Sequence, residues 1–412
     1  MGVGISPNPT NLQTIPVFTQ HVPLSGLSEF AMDLFALAVS VYVADLRVPR
    51  QSAYDQWTRD LHLHLRVSSP DQWDQTAVGL SGLLSYLTGD RWVVTIDGTR
   101  KSVLDENAPP AEENEVDAVC LLSGGLDSFT GAIDLLSEGA QVLLVGHYRK
   151  GYAREIQLQL YHLMKGAFDD ALVRASFHYL DPPVKVTGFT EPTTRSRSLL
   201  FISLAVLEAS RIGPQIPIFI PENGFVSLNV PLTRSRVGSV TTRTTHPFFL
   251  GELSKVLELL GLPSSLKNPY RFKTKGEMLA ECADIPLLDS GTPVTISCAH
   301  PTVGRWIGDG RAMNCGNCLP CIVRRSALRA VGKDTGLYRN DLKESPPLPG
   351  SGAGSDLRAF QLALEELGSL SHREIVARVL STGPLGRNSS DISAYVSVYE
   401  RGMAEIRHFI EG

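Results

Sequence analysis

Residues 118–128 read Ala-Val-Cys-Leu-Leu-Ser-Gly-Gly-Leu-Asp-Ser, which combines a short apolar strand, a glycine-rich turn and the beginning of a helix. A turn of this kind directs several backbone N–H groups at one point, and the helix N-terminus adds partial positive charge there. Gly124 and Gly125 permit backbone geometry that a Cβ would hinder. The run therefore predicts a loop that binds a phosphate or pyrophosphate.

Side chains of the loop add donors and a metal ligand. Ser123 and Ser128 offer hydroxyl groups, and Asp127 could hold a magnesium ion bound to the phosphates. The run has neither the lysine of Gly-x4-Gly-Lys-Ser/Thr nor the spacing of Gly-x-Gly-x-x-Gly, so it is not one of those two nucleotide-binding motifs. An ordinary glycine turn between a strand and a helix is the competing interpretation.

Composition indicates a globular protein with more than one domain. The chain has 412 residues, of which 43% are hydrophobic and 20% charged, enough for a substantial core. The net charge of -5 argues against a protein that binds nucleic acid through its overall charge. No secretory signal is visible, and the longest apolar run, 34–44, is too short to span a bilayer and predicts a buried helix. We therefore expect a cytoplasmic protein without a membrane partner.

Three units are predicted along the chain. An N-terminal accessory domain occupies 1–113, an α/β domain 114–345, and a linker with a helical tail 346–412. The acidic, proline-bearing segment 104–116 and the Pro/Gly/Ser-rich segment 345–355 are typical of linkers. The first unit carries no catalytic motif, so a structural or partner-docking role is the default expectation for it.

Apolar strand patterns and helical patterns alternate after residue 117. Strands are predicted at 118–122, 141–146, 175–180 and 216–220, and helices at 126–137, 153–166 and 194–210. This alternation predicts an α/β fold, a Rossmann-like parallel sheet with helices on both faces. Ligands of such sheets bind at the carboxyl ends of the strands, where the glycine-rich loop falls. A further strand is expected at 92–96 in the first unit.

Four cysteines predict a structural zinc site. Cys315, Cys318 and Cys321 come from one tight turn, and Cys298 follows a predicted strand end. Four thiolates match tetrahedral zinc and leave no open position for catalysis. Free thiols, one disulfide or an iron–sulfur cluster are the alternatives, the last because thiolates bind both kinds of metal centre. Cys120 lies in a predicted strand and is expected in the core.

The loop and the cysteine cluster, in this order, resemble the 7-cyano-7-deazaguanine synthase (QueC) family of PP-loop ATP pyrophosphatases. Residues 315–324 (Cys-Gly-Asn-Cys-Leu-Pro-Cys-Ile-Val-Arg) are similar to the family's Cys-Gly-x-Cys-x-x-Cys-Ile-x-Arg ending. Residues 197–205 (Arg-Ser-Leu-Leu-Phe-Ile-Ser-Leu-Ala) resemble its Arg-Asn-x-x-Phe-x-Ser-x-Ala helix, and 274–277 (Thr-Lys-Gly-Glu) its Thr-Lys-x-Glu segment. The resemblance covers residues 117–335 and implies a PP-loop (HUP-type) sheet.

The resemblance also implies an activity. Members cut ATP between the α and β phosphates, transfer AMP to a carboxyl oxygen and let a nucleophile displace the AMP. ATP, Mg²⁺ and structural Zn²⁺ are the implied cofactors, and 7-carboxy-7-deazaguanine is the implied substrate. Segment 239–247 (Ser-Val-Thr-Thr-Arg-Thr-Thr-His-Pro) replaces the family's Tyr-Pro-Asp-Cys-Arg, and the chain is longer at both ends. These departures resemble the longer QueC-like proteins of anti-phage systems, QatC and the CBASS member.

For such proteins the resemblance implies transfer of the acyl group to an amine, such as the N-terminal glycine of a partner protein. A plain nitrile-forming synthase using ammonia, a nucleotide-sensing subunit without turnover and a PP-loop enzyme acting on tRNA are the alternatives. The changed 239–247 segment argues against the plain synthase, and the intact glycine-rich loop argues against a sensing subunit without turnover. The tRNA enzyme would require a catalytic cysteine pair near the loop and a basic face, and neither is apparent in the sequence. Formation of a homodimer stays open.

The predicted nucleotide site is built on the glycine-rich loop. Its phosphate and magnesium ligands are Ser123, Gly124, Gly125, Asp127 and Ser128. His147 and Tyr148 follow the second predicted strand, where they could contact the nucleoside of ATP or be ordinary loop residues.

Two cations complete the predicted catalytic set, which comprises Asp127, Ser128, Arg197 and Lys275. Arg197 could bind a phosphate or the substrate carboxylate, and Lys275 is a point charge suited to phosphate. A surface arginine and a solvated lysine are the competing interpretations.

A base-recognition pocket is expected from side chains that offer both donors and acceptors to a deazaguanine edge. Its candidate residues are Glu222, Asn223, Thr242, Arg243, Thr244 and His246. A loop histidine without such a role is the alternative for His246.

Overall fold

The computed structural model has a mixed α/β fold with two sheets and a helical C-terminal region. The structure describes residues 4–6, 27–102, 115–149, 151–180, 191, 195–233, 243–302, 312–334, 338–342, 352–386 and 388–412. Most of the predicted linker 104–116 and of the linker 345–355 lies outside these residues. No helix among the described residues is both long and apolar enough to cross a membrane.

The N-terminal region forms a small three-stranded sheet packed on a buried helix. Its elements are β1 (Gly4–Ser6), α1 (Glu29–Arg47), β2 (Asp60–Val67), α2 (Pro70–Asp74), α3 (Ala77–Thr88) and β3 (Arg91–Thr99). Strand β1 is antiparallel to β2, whereas β2 and β3 are parallel. The predicted apolar helix at 34–44 lies within α1, and the predicted strand at 92–96 lies within β3.

The central sheet has five parallel strands. Its strands are β4 (Ala118–Leu121), β5 (Val142–Tyr148), β6 (Val173–Tyr179), β7 (Ile218–Phe219) and β8 (Leu266–Lys267). They lie in the order β6-β5-β4-β7-β8. All four strands predicted for this region are confirmed, with ends that differ by a few residues.

Helices cover both faces of the central sheet, because alternate side chains of a strand point to opposite faces. Cys120 and Leu144 pack into a core formed with α4 (Leu126–Ser137) and α5 (Ala153–Ala167). Val119, Leu121 and Val145 pack into a second core formed with α6 (Arg197–Ile212). The three predicted helices are thereby confirmed. Cys120 is fully buried, as predicted.

Eight further α-helices lie in the described residues after β7. They are α7 (Gly224–Leu228), α8 (Pro247–Leu259), α9 (Lys275–Ala280), α10 (Ile285–Gly291), α11 (Leu319–Ala330), α12 (Ser355–Leu367), α13 (His372–Leu380) and α14 (Ser389–Glu411). The helical C-terminal region is as predicted.

Two hydrophobic cores cross the predicted unit boundaries. One joins α1 and β2 with α6 and α8, so the N-terminal sheet shares a core with the central sheet. Another joins α12, α13 and α14 with α7 and α11. The predicted domain boundaries at 113 and 345 stay a prediction. Both flanking regions share a hydrophobic core with the central region.

Candidate functional site

The candidate site lies where the order of the strands reverses. From β4 the chain adds β5 and β6 on one side of the sheet and β7 and β8 on the other. In open parallel sheets the crevice outside the carboxyl ends of the two strands at this point is the usual ligand site. Here the loop Ser123–Gly125 follows β4, and the segment Pro221–Asn223 follows β7.

The glycine-rich loop has the geometry that its sequence predicts. Gly124 has a φ of 87°, and a Cβ there would lie 3.0 Å from a side-chain carbon of Ile156. The Ser128 hydroxyl donates to the Gly125 carbonyl at 3.0 Å and accepts from the Ser123 N–H at 3.1 Å. The loop is therefore closed onto the first turn of α4, and a side chain at Gly124 would be strained.

Asp127 is the centre of a buried polar cluster. Its carboxylate forms an ion pair with Lys275 and accepts from the Asn223 side-chain amide at 2.7 Å and the Asn223 N–H at 3.1 Å. Burial by itself would raise the pKa of Asp127, but the Lys275 ammonium and the hydrogen bonds outweigh it and lower the pKa to about 2. Asp127 is thus a carboxylate at neutral pH.

Lys275 occupies an unusual position for a cation. It is the first residue of α9, whose start is fixed by a capping box between Thr274 and Glu277. The N-terminal end of a helix disfavours positive charge. Lys275 is nevertheless buried there and directed at Asp127, so the ion pair offsets the unfavourable location. The predicted residues Asp127, Asn223 and Lys275 come together from three separate segments.

Glu222 lies beside Asp127 in the same cluster. Burial and the neighbouring Asp127 carboxylate together raise the pKa of Glu222 well above its ordinary value. Two carboxyl groups facing one ammonium would carry a net negative charge if both were ionised, and this repulsion disfavours ionisation of Glu222 while Asp127 is charged. The sequence predicted that Glu222 lies in the base-recognition pocket. No pattern in the sequence indicated that it lies beside Asp127.

Two adjoining cavities open beside the loop. The larger has a volume of about 360 Å³ and the smaller about 270 Å³, close to the lower end of the range for small-molecule sites. Ser123, Ser128 and Glu222 line both of them. The larger cavity has an apolar wall that includes Leu121, Ile156, Phe201, Ile202 and Ile220. Lys275 and Asp127 line the smaller one.

Arg197 lines the larger cavity from the first turn of α6. Within the described part of the chain, its guanidinium has no hydrogen-bond partner or counter-ion. A half-buried arginine that faces an apolar wall without a partner is suited to a carboxylate or phosphate of a ligand. Thr244 lines the same cavity.

His147 does not reach either cavity, which corrects the predicted contact with a nucleoside. Strand β5 runs on to Tyr148 instead of ending at 146, so the alternation of side chains turns His147 into the core. Its Nε2 donates to the Leu180 carbonyl at 3.0 Å, and its ring packs between Tyr42 and Phe201. Burial and the nearby Arg197 lower the pKa of His147 to about 4.

Tyr148 likewise lies outside the lining of both cavities. Its ring contacts the Tyr179 ring, with 5.5 Å between the centroids, and the Arg154 guanidinium lies 5.5 Å from its centroid. The predicted nucleoside contact of Tyr148 therefore has no support in this geometry.

Arg243 and His246 do not line either cavity and instead connect their segment to neighbouring elements, which corrects their predicted role in base recognition. Arg243 stacks on Tyr86 of α3 and donates to its carbonyl at 2.9 Å. His246 accepts from the Phe248 N–H at 3.2 Å, so its Nε2 donates to the Thr382 hydroxyl at 3.0 Å. Burial and Arg243 lower the pKa of His246 to about 3. The predicted Thr242 lies outside the described residues.

The four predicted cysteines form one cluster that could hold a metal ion such as zinc. Their sulfur atoms all lie within 4.8 Å of one another. Four sulfurs at about 2.3 Å from a tetrahedral zinc stand about 3.8 Å apart. The Cys298–Cys318 and Cys315–Cys321 sulfur pairs are each separated by 3.8 Å. Since a disulfide requires about 2.05 Å, this geometry favours a metal over the disulfide alternative.

Backbone amides support the cluster. The N–H groups of Ala299 and Cys318 point at cysteine sulfurs at 3.4 Å, and those of His300 and Cys315 at 3.3 Å. Such hydrogen bonds stabilise thiolates and orient them toward a metal.

The cysteine cluster is connected directly to the glycine-rich loop. The Ile296 N–H donates to the Gly124 carbonyl at 3.0 Å, and the Ser297 hydroxyl accepts from the Leu126 N–H at 3.2 Å. Cys298 follows immediately and lines both cavities. The segment 296–298 therefore links the cysteine cluster to the glycine-rich loop. The sequence predicted Cys298 as a metal ligand, but no pattern indicated that Ser297 contacts the loop.

Comparisons with known proteins identified no relative of this chain. Neither the protein-family models nor the curated proteins include a match to this chain. The functional interpretation therefore rests on the motifs and on the geometry around Asp127.

Proposed function

We propose that this chain is a QueC-like PP-loop ATP pyrophosphatase that adenylates a 7-carboxy-7-deazaguanine-type acid and transfers the acyl group to an amine. The observation that carries the proposal is the buried ion pair between Asp127 and Lys275, in which Asn223 also donates to Asp127. Asp127 lies in the first turn of α4, directly after the glycine-rich loop. A charged cluster in a crevice at the strand reversal is costly to bury, and such sites are commonly functional.

The loop and α4 supply the phosphate site in this proposal. Gly125 and the first residues of α4 line the smaller cavity, where a β,γ-pyrophosphate would meet the positive end of the helix dipole. Negative charge develops on the departing pyrophosphate, so fixed donors aimed at it lower the barrier. Lys275 adds a full positive charge on the same side.

Asp127 and Glu222 are the residues that would hold Mg²⁺. Carboxylate oxygens beside a phosphate site are the ligands that this ion prefers. When bound, the ion would neutralise phosphate charge and thereby assist departure of pyrophosphate. The Lys275 ammonium would then turn from Asp127 toward a phosphate oxygen.

The larger cavity would hold the ring of the acid against its apolar wall, with Arg197 near the carboxylate. A carboxylate oxygen attacks the α-phosphorus, the bond from that phosphorus to the bridging oxygen breaks, and pyrophosphate leaves. The amine nitrogen then attacks the acyl carbon, the bond to AMP breaks, and the amine proton passes to solvent. Arg197 orients the carboxylate for the first step and balances its charge.

The direct test is to incubate the protein with ATP, Mg²⁺ and 7-carboxy-7-deazaguanine, with ammonia or with a glycine-ended peptide. AMP, pyrophosphate and product mass are followed together. We expect AMP and a base–peptide adduct. AMP with only the nitrile product would identify a plain synthase. No AMP from folded, zinc-loaded protein would contradict the proposal and favour a sensing subunit of a defence complex.

Arg197→Ala is expected to reduce kcat/KM for the acid about 10- to 100-fold, because the charge facing its carboxylate is lost. The Km for ATP should change much less. Arg211→Ala, at the other end of α6, is the matched control and should leave kcat/KM near that of the unchanged protein. Equal kinetics for the two variants would show that Arg197 does not recognise the acid.

A further inference from the structure

The last helix of the chain contacts the segment that carries Lys275. The Thr274 hydroxyl donates to the Glu405 carboxylate of α14, and the Gly276 N–H donates to the same carboxylate at 3.3 Å. These two contacts flank Lys275 on both sides. A Cβ at Gly276 would lie 2.5 Å from Glu405 Oε1, so the two helices are in close contact at this point.

Arg401 of α14 makes a second connection to the same segment. Its guanidinium donates to both oxygens of Glu277, at 2.6 and 3.1 Å, and to the Phe272 carbonyl at 2.8 Å. Glu277 in turn accepts from the Thr274 N–H at 2.8 Å in the capping box. A bidentate arginine–carboxylate pair has a defined geometry. It therefore orients the capping residue of the helix that begins with Lys275.

Helix α14 also packs on α7, which follows Asn223. The Tyr399 and Phe225 rings are stacked, with 6.1 Å between the centroids and an interplanar angle of 11°. A Cβ at Gly402 would come within 2.3 Å of the Phe225 ring, so only glycine fits there. One helix thus touches both segments whose side chains bind Asp127.

We propose that Arg401 and Glu405 are positioning residues, through which the C-terminal helix holds Lys275 in place beside Asp127. The contacts of the same helix with Phe225 support the segment that carries Asn223. The inference rests on the proposed function, since it assigns to the C-terminal region a part in the same site. It accounts for a half-buried carboxylate on α14 that accepts a hydrogen bond from the backbone of a helix start 129 residues away. Neither residue lines either of the two cavities beside the glycine-rich loop.

A first measurement needs no ligand. Amide hydrogen exchange of residues 274–280 is compared in the unchanged protein, Glu405→Ala, Glu405→Gln and Glu411→Ala. Glu411 is an exposed glutamate near the end of the same helix and serves as the matched control. We expect exchange to rise about tenfold in Glu405→Ala and less in Glu405→Gln, which keeps one acceptor oxygen. Exchange like that of Glu411→Ala would overturn the proposal.

The second measurement follows AMP formation by the same variants. We expect kcat of Glu405→Ala to fall about 10- to 100-fold while the Km for ATP changes about threefold or less, with partial recovery in Glu405→Gln. Altered exchange with unchanged kcat would overturn the positioning role. If the unchanged protein forms no AMP, the proposed function fails, whereas the exchange result still decides whether α14 orders the Lys275 segment. If Glu405→Ala does not fold, the Gln variant carries both tests.

Discussion

Lys275→Met is expected to lower AMP formation about 10³-fold and to reduce the free energy of unfolding by about 3 kcal/mol. The loss of activity would follow because the proposed phosphate site loses the positive charge of Lys275. The loss of stability follows because Asp127, which is 5% exposed, would keep a buried charge without a counter-ion, with Asn223 and Glu222 as its remaining partners. Steady-state kinetics and urea unfolding of the variant measure the two effects.

The stability effect should depend on pH in a defined direction. The pKa of Asp127 is lowered to about 2 in the folded protein, below its ordinary value near 3.8. The ion pair therefore stabilises the folded protein fully at a pH above 3.8, the ordinary pKa of an aspartate. This contribution decreases below that pH and is lost as the pH falls through about 2. The stability difference between the unchanged protein and Lys275→Met should be largest at neutral pH and shrink in acid.

Lys273→Met provides the matched control. Lys273 lies two residues earlier and pairs with Glu281 at the surface, where both side chains are at least one-third exposed. Exposed ion pairs contribute little, about 0–1 kcal/mol. A Lys275→Met variant that retains full AMP formation would contradict the assigned role of the cation.

Removal of one sulfur from the cysteine cluster is the second change with a large expected effect. Cys315→Ser should abolish stoichiometric zinc binding and lower the free energy of unfolding by more than about 5 kcal/mol, since a structural zinc site contributes directly to folding. Because segment 296–298 bonds to Gly124 and Leu126, amide exchange in residues 123–126 should also rise. Metal analysis, thermal unfolding and exchange of the full chain measure these effects.

Cys282→Ala is the control for the metal prediction. Cys282 is a buried free cysteine outside the cluster, so its loss removes a thiol from the core without removing a metal ligand. We expect zinc content to stay at one ion per chain and stability to fall by about 1–2 kcal/mol. A Cys315→Ser protein as stable as Cys282→Ala would contradict a structural metal.

Local patterns made the loop, the central strands and the cysteine cluster predictable. The strand before Ser123 is fully apolar, and the turn needs a glycine at positive φ, so both signals lie within a dozen residues. The cysteine ligands could be recognised because three of them share one turn. His147 was misplaced because strand ends are hard to predict: the strand continues through residue 147, where the side chain points into the core and not into the loop.

Long-range contacts could not be predicted. Arg243 and His246 stand in a polar segment typical of a binding loop, but their partners Tyr86 and Thr382 are 157 and 136 residues away. The same holds for Glu405, whose contact with Thr274 spans 131 residues. Sequence reasoning assigned the C-terminal region only as a helical tail, because its role depends on where it packs.

The most direct test of the central claim is ATP–pyrophosphate exchange. Labelled pyrophosphate is incubated with the protein, ATP and Mg²⁺, with and without 7-carboxy-7-deazaguanine and without an amine. Adenylation of the acid is reversible, so we predict label in ATP only when the acid is present, and none with Lys275→Met. Cleavage of ATP to ADP and phosphate, or no acid-dependent exchange by the zinc-loaded protein, would contradict the account.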